Sequence, residues 1–397
     1  MNFIFISPNF PESYWMFCAG LKKHGVNVLA IGDAPYTELS EDLKKNVNEY
    51  YKVGSMENYE EMLKAVAYFT FKYGKIDWIE SNNEYWLKQD ARLRKDFNVT
   101  NGFTYEHMCT IQCKSKMKEF YAQAGIPTAR YAMADTYENA LAFIAKVGYP
   151  IVIKPDVGVG SSDTNKIKNE EDLKNYFATP RSIPMIMEEY IDGSTFSFDG
   201  LADSNSDILF MTNHLYRESI MDAVNNKDTM GCYSAINIAE DIIDAGKRCL
   251  KAFGVKNRFF HFEFFRLNSD CEGVGKKGDI VGLEVNMRPP GGFLPDLINY
   301  ANDCNVYQLW ADMMIKDKID HQQVRKYSSG FCGRFDAQGY KYSAAQIKEM
   351  YPFNVLMTKR LPKALAEGMG DEVITARFES EEKMLAFFEV CSELKEA

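Results

Sequence analysis

The chain has 397 residues, 46% of them hydrophobic and 26% charged, which is enough for one large core and fits two or three domains better than one. Its formal net charge of -10 argues against nucleic acid or an anionic membrane as partner, because both need clustered Lys and Arg, although a local pocket can still hold a small anion. The start, MNFIFISPNFPES, lacks a basic n-region, no apolar stretch approaches bilayer-spanning length, and nine cysteines without a repeating spacing suggest reduced thiols, so a cytoplasmic protein is expected.

In chain order, NFIFIS, ESYWMFCAGLKKHG and VNVLAIGD read as strand, amphipathic helix and strand, with Gly25 ending the helix. A helix over ENYEEMLKAVAYFTFKYG, the strand-like IDWIES and a further helical stretch follow. This alternation predicts a parallel sheet in an open α/β domain over residues 1–100. The first strand-to-helix turn, Ser7-Pro8-Asn9-Phe10-Pro11, has none of the glycines that admit a dinucleotide pyrophosphate. A helical connection spans residues 101–127, containing CKSKMKEFYAQAG and closed by Gly125. Within it HMCTIQC carries His107, Cys109 and Cys113, but no second Cys/His pair follows to complete a zinc site, and helix packing is the better reading.

Residues 128–192 form a compact unit in which the helix YENALAFIAKVG accompanies the strands YPIVIKPD and PMIMEEYI. Strands dominate residues 193–318 (TFSFDGLAD, DILFMTNHLY), with a helix near Ile242 to Phe253. The remainder, residues 319–397, includes DEVITARFES before a short helix and reads as a small α+β cap.

Two apolar strands, FFHFEFFRL and VGLEVNMR, each carry a carboxylate in the middle, Glu263 and Glu284. The turn-rich NSDCEGVGKKGD between them predicts an antiparallel hairpin with a long loop. Side chains two apart share a face of a strand, so Glu284, Asn286 and Arg288 form one row. Bare neighbouring carboxylates repel until one takes up a proton; a hard divalent cation removes that penalty, and Asn286 adds a neutral oxygen. Partners for phosphate are at hand in VIKPDVGVGSSD. There Lys154 lies on a strand that enters a loop with Gly158, Gly160, Ser161 and Ser162, whose backbone amides and hydroxyls can turn toward an anion. Lys114 is a second candidate, with a solvated helix face beside Lys116 and Lys118 as its alternative. The segment MIMEEYIDG, through Glu188, Glu189, Tyr190 and Ile191, offers a side-chain acceptor and exposed backbone to an adenine edge.

Lys114 followed by AGIP, Lys154 with its glycine-rich loop, EEYIDG, Glu263 and EVNMR occur in the order found in the ATP-grasp superfamily, which the chain resembles over roughly residues 1 to 320. Within it the chain is most similar to the carboxylate–amine ligases, which include L-amino-acid ligases, and to biotin carboxylase and carbamoyl-phosphate synthase large-chain relatives. The resemblance implies a mixed α/β and α+β fold: a Rossmann-like open α/β N-terminal domain, a small lid and a larger antiparallel-sheet domain. It implies ATP and Mg2+ (or Mn2+) as cofactors. Lys114, Lys154 and Gly158 to Ser162 would hold phosphates, Glu188 and the backbone of Glu189 to Ile191 adenine, and Glu263, Glu284 and Asn286 the metal. Arg288 would clamp the carboxylate and, with Lys154, serve catalysis, while Glu84 in ESNNEYW would face substrate. The implied reaction joins a small-molecule acid and amine, both amino acids in the nearest branch, through an acyl-phosphate with release of ADP and phosphate. A bicarbonate-activating enzyme and a non-catalytic ATP-binding regulator are the alternatives, and a homodimer is compatible with such a chain. Where relatives often carry a ribose-binding carboxylate the register offers Thr195, leaving Asp199 or another residue for that task.

Overall fold

A computed structural model describes residues 1–158, 163–218 and 226–395, side chains at positions 364, 365 and 367 excepted. Its first strand, β1 (Asn2–Ile6), serves two cores at once. Phe3 and Phe5 enter one and Ile4 and Ile6 the other, as the two-residue repeat of a strand requires, and all four are fully buried. With β2 (Asn27–Gly32), β3 (Glu49–Lys52) and β4 (Trp78–Glu80) it makes a parallel sheet in the order β3-β2-β1-β4. The predicted helices form over Trp15–Lys23, Tyr59–Tyr73 and Leu87–Asp96, and Gly25 adopts the left-handed φ of 70° just beyond the first. The edge strand β3 and the short helix Glu41–Asn46 escape the sequence reading because EYYK and EDLKKN are too short to display a period.

Next come helices Tyr105–Ile111 and Lys114–Gln123. Cys109 lies in the first of these helices, which ends at Ile111, and Cys113 is the N-cap of the second, so the two do not share one helix. His107 hydrogen-bonds the Phe253 carbonyl oxygen at 3.0 Å. All nine cysteines are free thiols.

A four-stranded antiparallel sheet follows, made of β5 (Tyr131–Met133), β6 (Ile151–Pro155), β7 (Asn165–Ile167) and β8 (Met185–Glu189) in the order β5-β8-β6-β7. Helices Tyr137–Val147 and Glu170–Phe177 cover it through Phe143, Ile144, Leu173 and Tyr176. The larger sheet is antiparallel throughout. It contains β9 (Gly193–Ala202), β10 (Ile208–Tyr216), β11 (Met230–Ser234), β12 (Arg258–Leu267), β13 (Ile280–Asn286), β14 (Ser328–Arg334), β15 (Val355–Arg360) and β16 (Glu372–Phe378), ordered β13-β12-β9-β10-β11-β14-β16-β15. The C-terminal segment expected as a separate cap therefore adds three strands to this sheet, because β14 pairs with β11.

Phe260, Phe262 and Phe264 of β12, with Val285 of β13 and Met287 just beyond it, pack against helices Lys114–Gln123 and Glu240–Ala252. The alternate positions are thereby turned to the opposite side of the sheet. The N-terminal sheet is held to the rest by helix Val306–Lys316, whose Trp310 meets Phe3, Phe5 and Phe17 at ring distances of 5.7, 6.2 and 4.9 Å. No helix among the described residues is long and apolar enough to cross a membrane. Truncating Trp310 to Ala should cost about 3–5 kcal/mol, the usual penalty for emptying a buried indole site. Hydrogen exchange should show β1 and helix Trp15–Lys23 losing protection before β12 and β13; uniform loss across the chain would refute Trp310 as the local anchor.

Candidate functional site

The hairpin expected from FFHFEFFRL and VGLEVNMR is present, and its register sets Glu263 directly opposite Glu284, with an irregularity after Glu263. Both glutamates, with Asn286 and Arg288, line one cavity of about 500 Å³ that also receives Glu84, Lys114, Lys154 and the segment Glu188 to Ile191. The Tyr121 hydroxyl donates to the backbone carbonyl oxygens of Glu284 at 2.8 Å and Glu263 at 3.3 Å, fixing the hairpin from behind.

The two carboxylates titrate apart. Burial, helped by the charges of Glu263 and Glu84, raises the Glu284 carboxyl against the opposing pull of Lys114. Burial would also raise Glu263, but the adjacent His261, hydrogen-bonded at 3.2 Å, and Arg288 bring it below the ordinary range. Among the described residues no three His, Cys, Asp or Glu side chains cluster as a metal-binding set. The donors here are two carboxylates and an amide. That set fits a hard cation that keeps several waters and takes its remaining oxygens from phosphates. Turned so that its amide nitrogen donates to both oxygens of Glu84 at 2.9 and 3.1 Å, the orientation that satisfies both groups, Asn286 has its oxygen left for such an ion.

The lysines are placed by a shared joint. At the end of β6, Asp156 accepts from the Ser115 amide at 2.7 Å, and its carbonyl oxygen accepts from the Lys114 amide at 2.8 Å. It thus caps the helix that carries Lys114 while lying two residues from Lys154. Lys114 and Lys118, four residues apart, occupy the buried face of that helix, whereas Lys116 between them is exposed and pairs with Glu119. The solvated-face alternative therefore applies to Lys116 and not to Lys114. The Lys114 ammonium lies 3.6 Å from Glu284 and donates to the Gly158 carbonyl oxygen at 3.3 Å. Gly160, Ser161 and Ser162 lie outside the described residues.

Glu188 accepts from Lys118 at 2.7 Å and from Lys154 at 2.8 Å, one lysine on each oxygen. Sequence alone presents it as a lone acceptor and passes over Lys118, although the i, i+4 spacing from Lys114 is a usable signal. Glu189 turns its carboxylate away, onto Arg130 at 2.7 and 2.9 Å, so its backbone is what it can offer a ligand. The Ile191 amide makes no hydrogen bond among the described residues. The Lys166 ammonium stands 3.8 Å over the Tyr190 ring.

Arg288 pairs with Glu84, which reaches the cavity from the N-terminal unit just after β4. Thr195 lines the cavity, whereas Asp199 does not: it is fully buried and bonded to both His261 and His214. Burial would raise its carboxyl, but the two imidazoles hold it well below the carboxylate range. That removes Asp199 as a stand-in for a ribose-binding carboxylate. Its partner His261 also escapes the sequence reading, although its position two residues before Glu263 puts both on one face.

Burial tends to push the Glu188 carboxyl up, yet Lys118 and Lys154 bring it down to about 2 from an ordinary 4.5. A depressed carboxylate stabilises the fold fully above its unfolded value, and that contribution fades as pH falls from 4.5 toward 2. Glu188→Gln should therefore lower stability by on the order of 3 kcal/mol at neutral pH. The gap between wild type and variant in urea midpoint should narrow below pH 4.5. A gap independent of pH down to 2 would show that the ion triad contributes nothing.

Residues 112–250 match the family described as phosphoribosylglycinamide synthetase, ATP-grasp (A) domain. The chain is 24% identical over 256 residues to an L-arginine-specific L-amino acid ligase of Bacillus subtilis, a match covering 62% of this chain and 60% of that one. It is 24% identical over 196 residues to the carbamoyl phosphate synthase large chain of Thermoanaerobacter pseudethanolicus, covering 47% of this chain and 17% of the relative. The chain thus spans less than two thirds of each of these curated relatives. The crystal structure of an L-amino acid ligase from Bacillus licheniformis superposes with a TM-score of 0.73 at 16% identity, over 99% of this chain and 97% of the other. Residues 112–250 thus match an ATP-grasp domain family, and the chain as a whole shares the fold of that solved structure.

Proposed function

We propose that the protein is an ATP-dependent carboxylate–amine ligase that forms an amide bond and releases ADP and phosphate. One observation carries this reading: two opposed carboxylates, an amide, an arginine and two lysines, drawn from four separate segments, converge on a single cavity. Adenine binding alone would need neither Arg288 nor the carboxylate pair. The coverage of an amino acid ligase fold over nearly the whole chain is consistent with it.

In this reading Glu188 and the backbone through Ile191 hold the adenine, and Thr195 stands nearest the ribose. Lys114, Lys154 and the loop that begins at Gly158 hold the outer phosphates. Glu263, Glu284 and Asn286 would hold Mg2+, which when bound neutralises charge on the phosphates. Arg288 grips the acid; its Nη2 now pairs with Glu84 and its Nη1 donates to the Pro289 carbonyl oxygen at 2.8 Å, so substrate must compete with or lie beside that carboxylate. The acid oxygen attacks the γ-phosphorus and the bond to ADP breaks; the amine nitrogen then attacks the acyl carbon and phosphate leaves. Catalysis here is alignment and charge neutralisation by Lys154, Lys114 and Arg288, and no covalent nucleophile is required.

The test is a phosphate-release screen with Mg-ATP and pairs of amino acids or small acids and amines, with nucleotide products separated by chromatography. ADP should accumulate only when both acid and amine are present. AMP as the main product would overturn the mechanism, and tight ATP binding with no stimulating pair would favour a regulatory protein. Arg288→Lys should lose on the order of a hundredfold in turnover with little change in ATP affinity, because a point charge cannot reproduce the forked grip. Equal loss in ATP affinity would move Arg288 from the acid to the nucleotide.

A further inference from the structure

The cavity is not polar throughout. Besides the lysines and carboxylates, its lining includes the apolar group Tyr216, Met230, Cys232, Leu294, Phe331 and Met369. These residues come from β10, β11, β14 and the helices Leu294–Asn302 and Lys363–Met369. All of them but Met230 belong to one apolar cluster. The turn after Arg288 joins this group to the polar one. A Cβ at Gly291 would lie 3.7 Å from Arg288 Nη1, and one at the next residue, Gly292, only 2.5 Å from Met369 Cε. The methionine tip thus sits against the backbone beside the guanidinium. Gly292, at φ 58°, could not accept a side chain without displacing it. The backbone behind Met369 is equally close-set, since a Cβ at Gly333 would lie 2.1 Å from its carbonyl oxygen. Glu218, two residues beyond Tyr216, also lines the cavity; its carboxylate lies 3.9 Å from Arg217, and burial raises its carboxyl.

Resting on the ligase reading, we propose that this apolar group receives the side chain of the acid that Arg288 grips. The acid therefore carries an uncharged, apolar substituent, and Met369 is a residue that sets its size. An acid anchored at Arg288 has its substituent within reach of Met369, because Gly291 and Gly292 alone separate the two side chains. A charged substituent placed among Leu294, Phe331 and Met369 would lose its hydration without gaining a partner. An anionic one would also meet Glu218. Methionine, unbranched and pliable, suits a wall that admits several apolar shapes of similar length.

The test uses the full chain with Mg-ATP and hydroxylamine as the amine, so that each acid is read singly as its hydroxamate, with ADP and phosphate as the other products. Leucine, methionine and phenylalanine should be activated with kcat/KM at least about tenfold above aspartate, lysine and arginine. A single methylene in an apolar pocket is worth on the order of tenfold, so Met369→Ala should raise the phenylalanine-to-leucine ratio about tenfold and Met369→Trp should lower it. Preference for arginine or lysine would overturn the proposal and assign the side chain to Glu218, while leaving the ligase reading intact. A ratio unmoved in both variants would remove Met369 from the compartment. Hydroxamate from none of the acids would overturn the ligase reading as well, and because the wild-type panel needs no variant, the distinction survives even if a substitution prevents folding.

Discussion

The site is organised around two carboxylates that the hairpin register forces to face each other. Directly opposed side chains on neighbouring strands have Cβ atoms about 5 Å apart, and two like charges at that distance repel by about 3 kcal/mol at an effective dielectric of 20. Glu263 and Glu284 cannot escape this by rotation, because Phe262, Phe264 and Val285 lock the other face of the same strands into the core. The protein resolves the conflict asymmetrically. His261 and Arg288 keep Glu263 ionised, and Glu284, with Lys114 3.6 Å away, is left with its carboxyl raised. His261 is held in turn by Asp199, and Asp199 by His214, so a buried hydrogen-bonded chain of side chains from three neighbouring strands supports Glu263.

The N-terminal unit is bound into the same arrangement. Glu84 supplies the charge that meets Arg288 and the hydrogen-bond acceptor that meets Asn286, so the second half of the polar row is oriented from outside the hairpin. Its position depends on a buried cluster four residues earlier, where Glu80 pairs with Arg258 and lies 3.7 Å from Arg94. Arg258 also donates to the carbonyl oxygen of Met287, the residue immediately before Arg288. Asp90, beside Glu80, has its carboxyl pushed up by burial and by that like charge, so Glu80 rather than Asp90 carries the negative charge facing the two arginines. Such a network is poor evidence of net stability, but it defines one geometry between two units.

Where periodicity is strong, the sequence is legible. NFIFI, FFHFEFF and GLEVNMR each alternate cleanly, and each occupies a strand whose two faces have different fates. That is why the hairpin and the facing of Glu263, Glu284, Asn286 and Arg288 can be read from the residues alone. What stays hidden is long-range or locally weak. The pairing of β14 with β11 carries no signal in either strand, since SSGFCGR and MGCYS are short and glycine-bearing, so the C-terminal segment resembles an appendage. Lys118 looks solvated because three lysines in five residues hide which face of the helix is buried. Glu188 can be seen as an acceptor but not as the centre of an ion triad, because its partners lie 70 and 34 positions earlier. Asp199 misleads for the same reason: its histidines come from adjacent strands, and only the register brings them together.

Charge balance bears on how a nucleotide could enter. Among the described residues the cavity is lined by six carboxylates, those of Glu84, Glu188, Glu189, Glu218, Glu263 and Glu284, against the four cations of Lys114, Lys154, Arg288 and His261, whose imidazole, despite burial, Asp199 and Glu263 raise to about 9. Glu189 is answered by Arg130 and Glu188 by Lys118 and Lys154, which leaves Lys114, Arg288 and a His261 shared with Asp199 to offset Glu84, Glu263 and Glu284. A polyanionic triphosphate brought alone into this setting would face repulsion from the hairpin and find Lys154 already engaged. Arriving with divalent cations, it would supply the charge that Glu263 and Glu284 lack, and negative phosphate oxygens would compete with Glu188 for Lys154. The carboxylate excess that looks unfavourable for an anion is therefore what would make nucleotide and metal binding interdependent on the ligase reading, each being weakly held without the other.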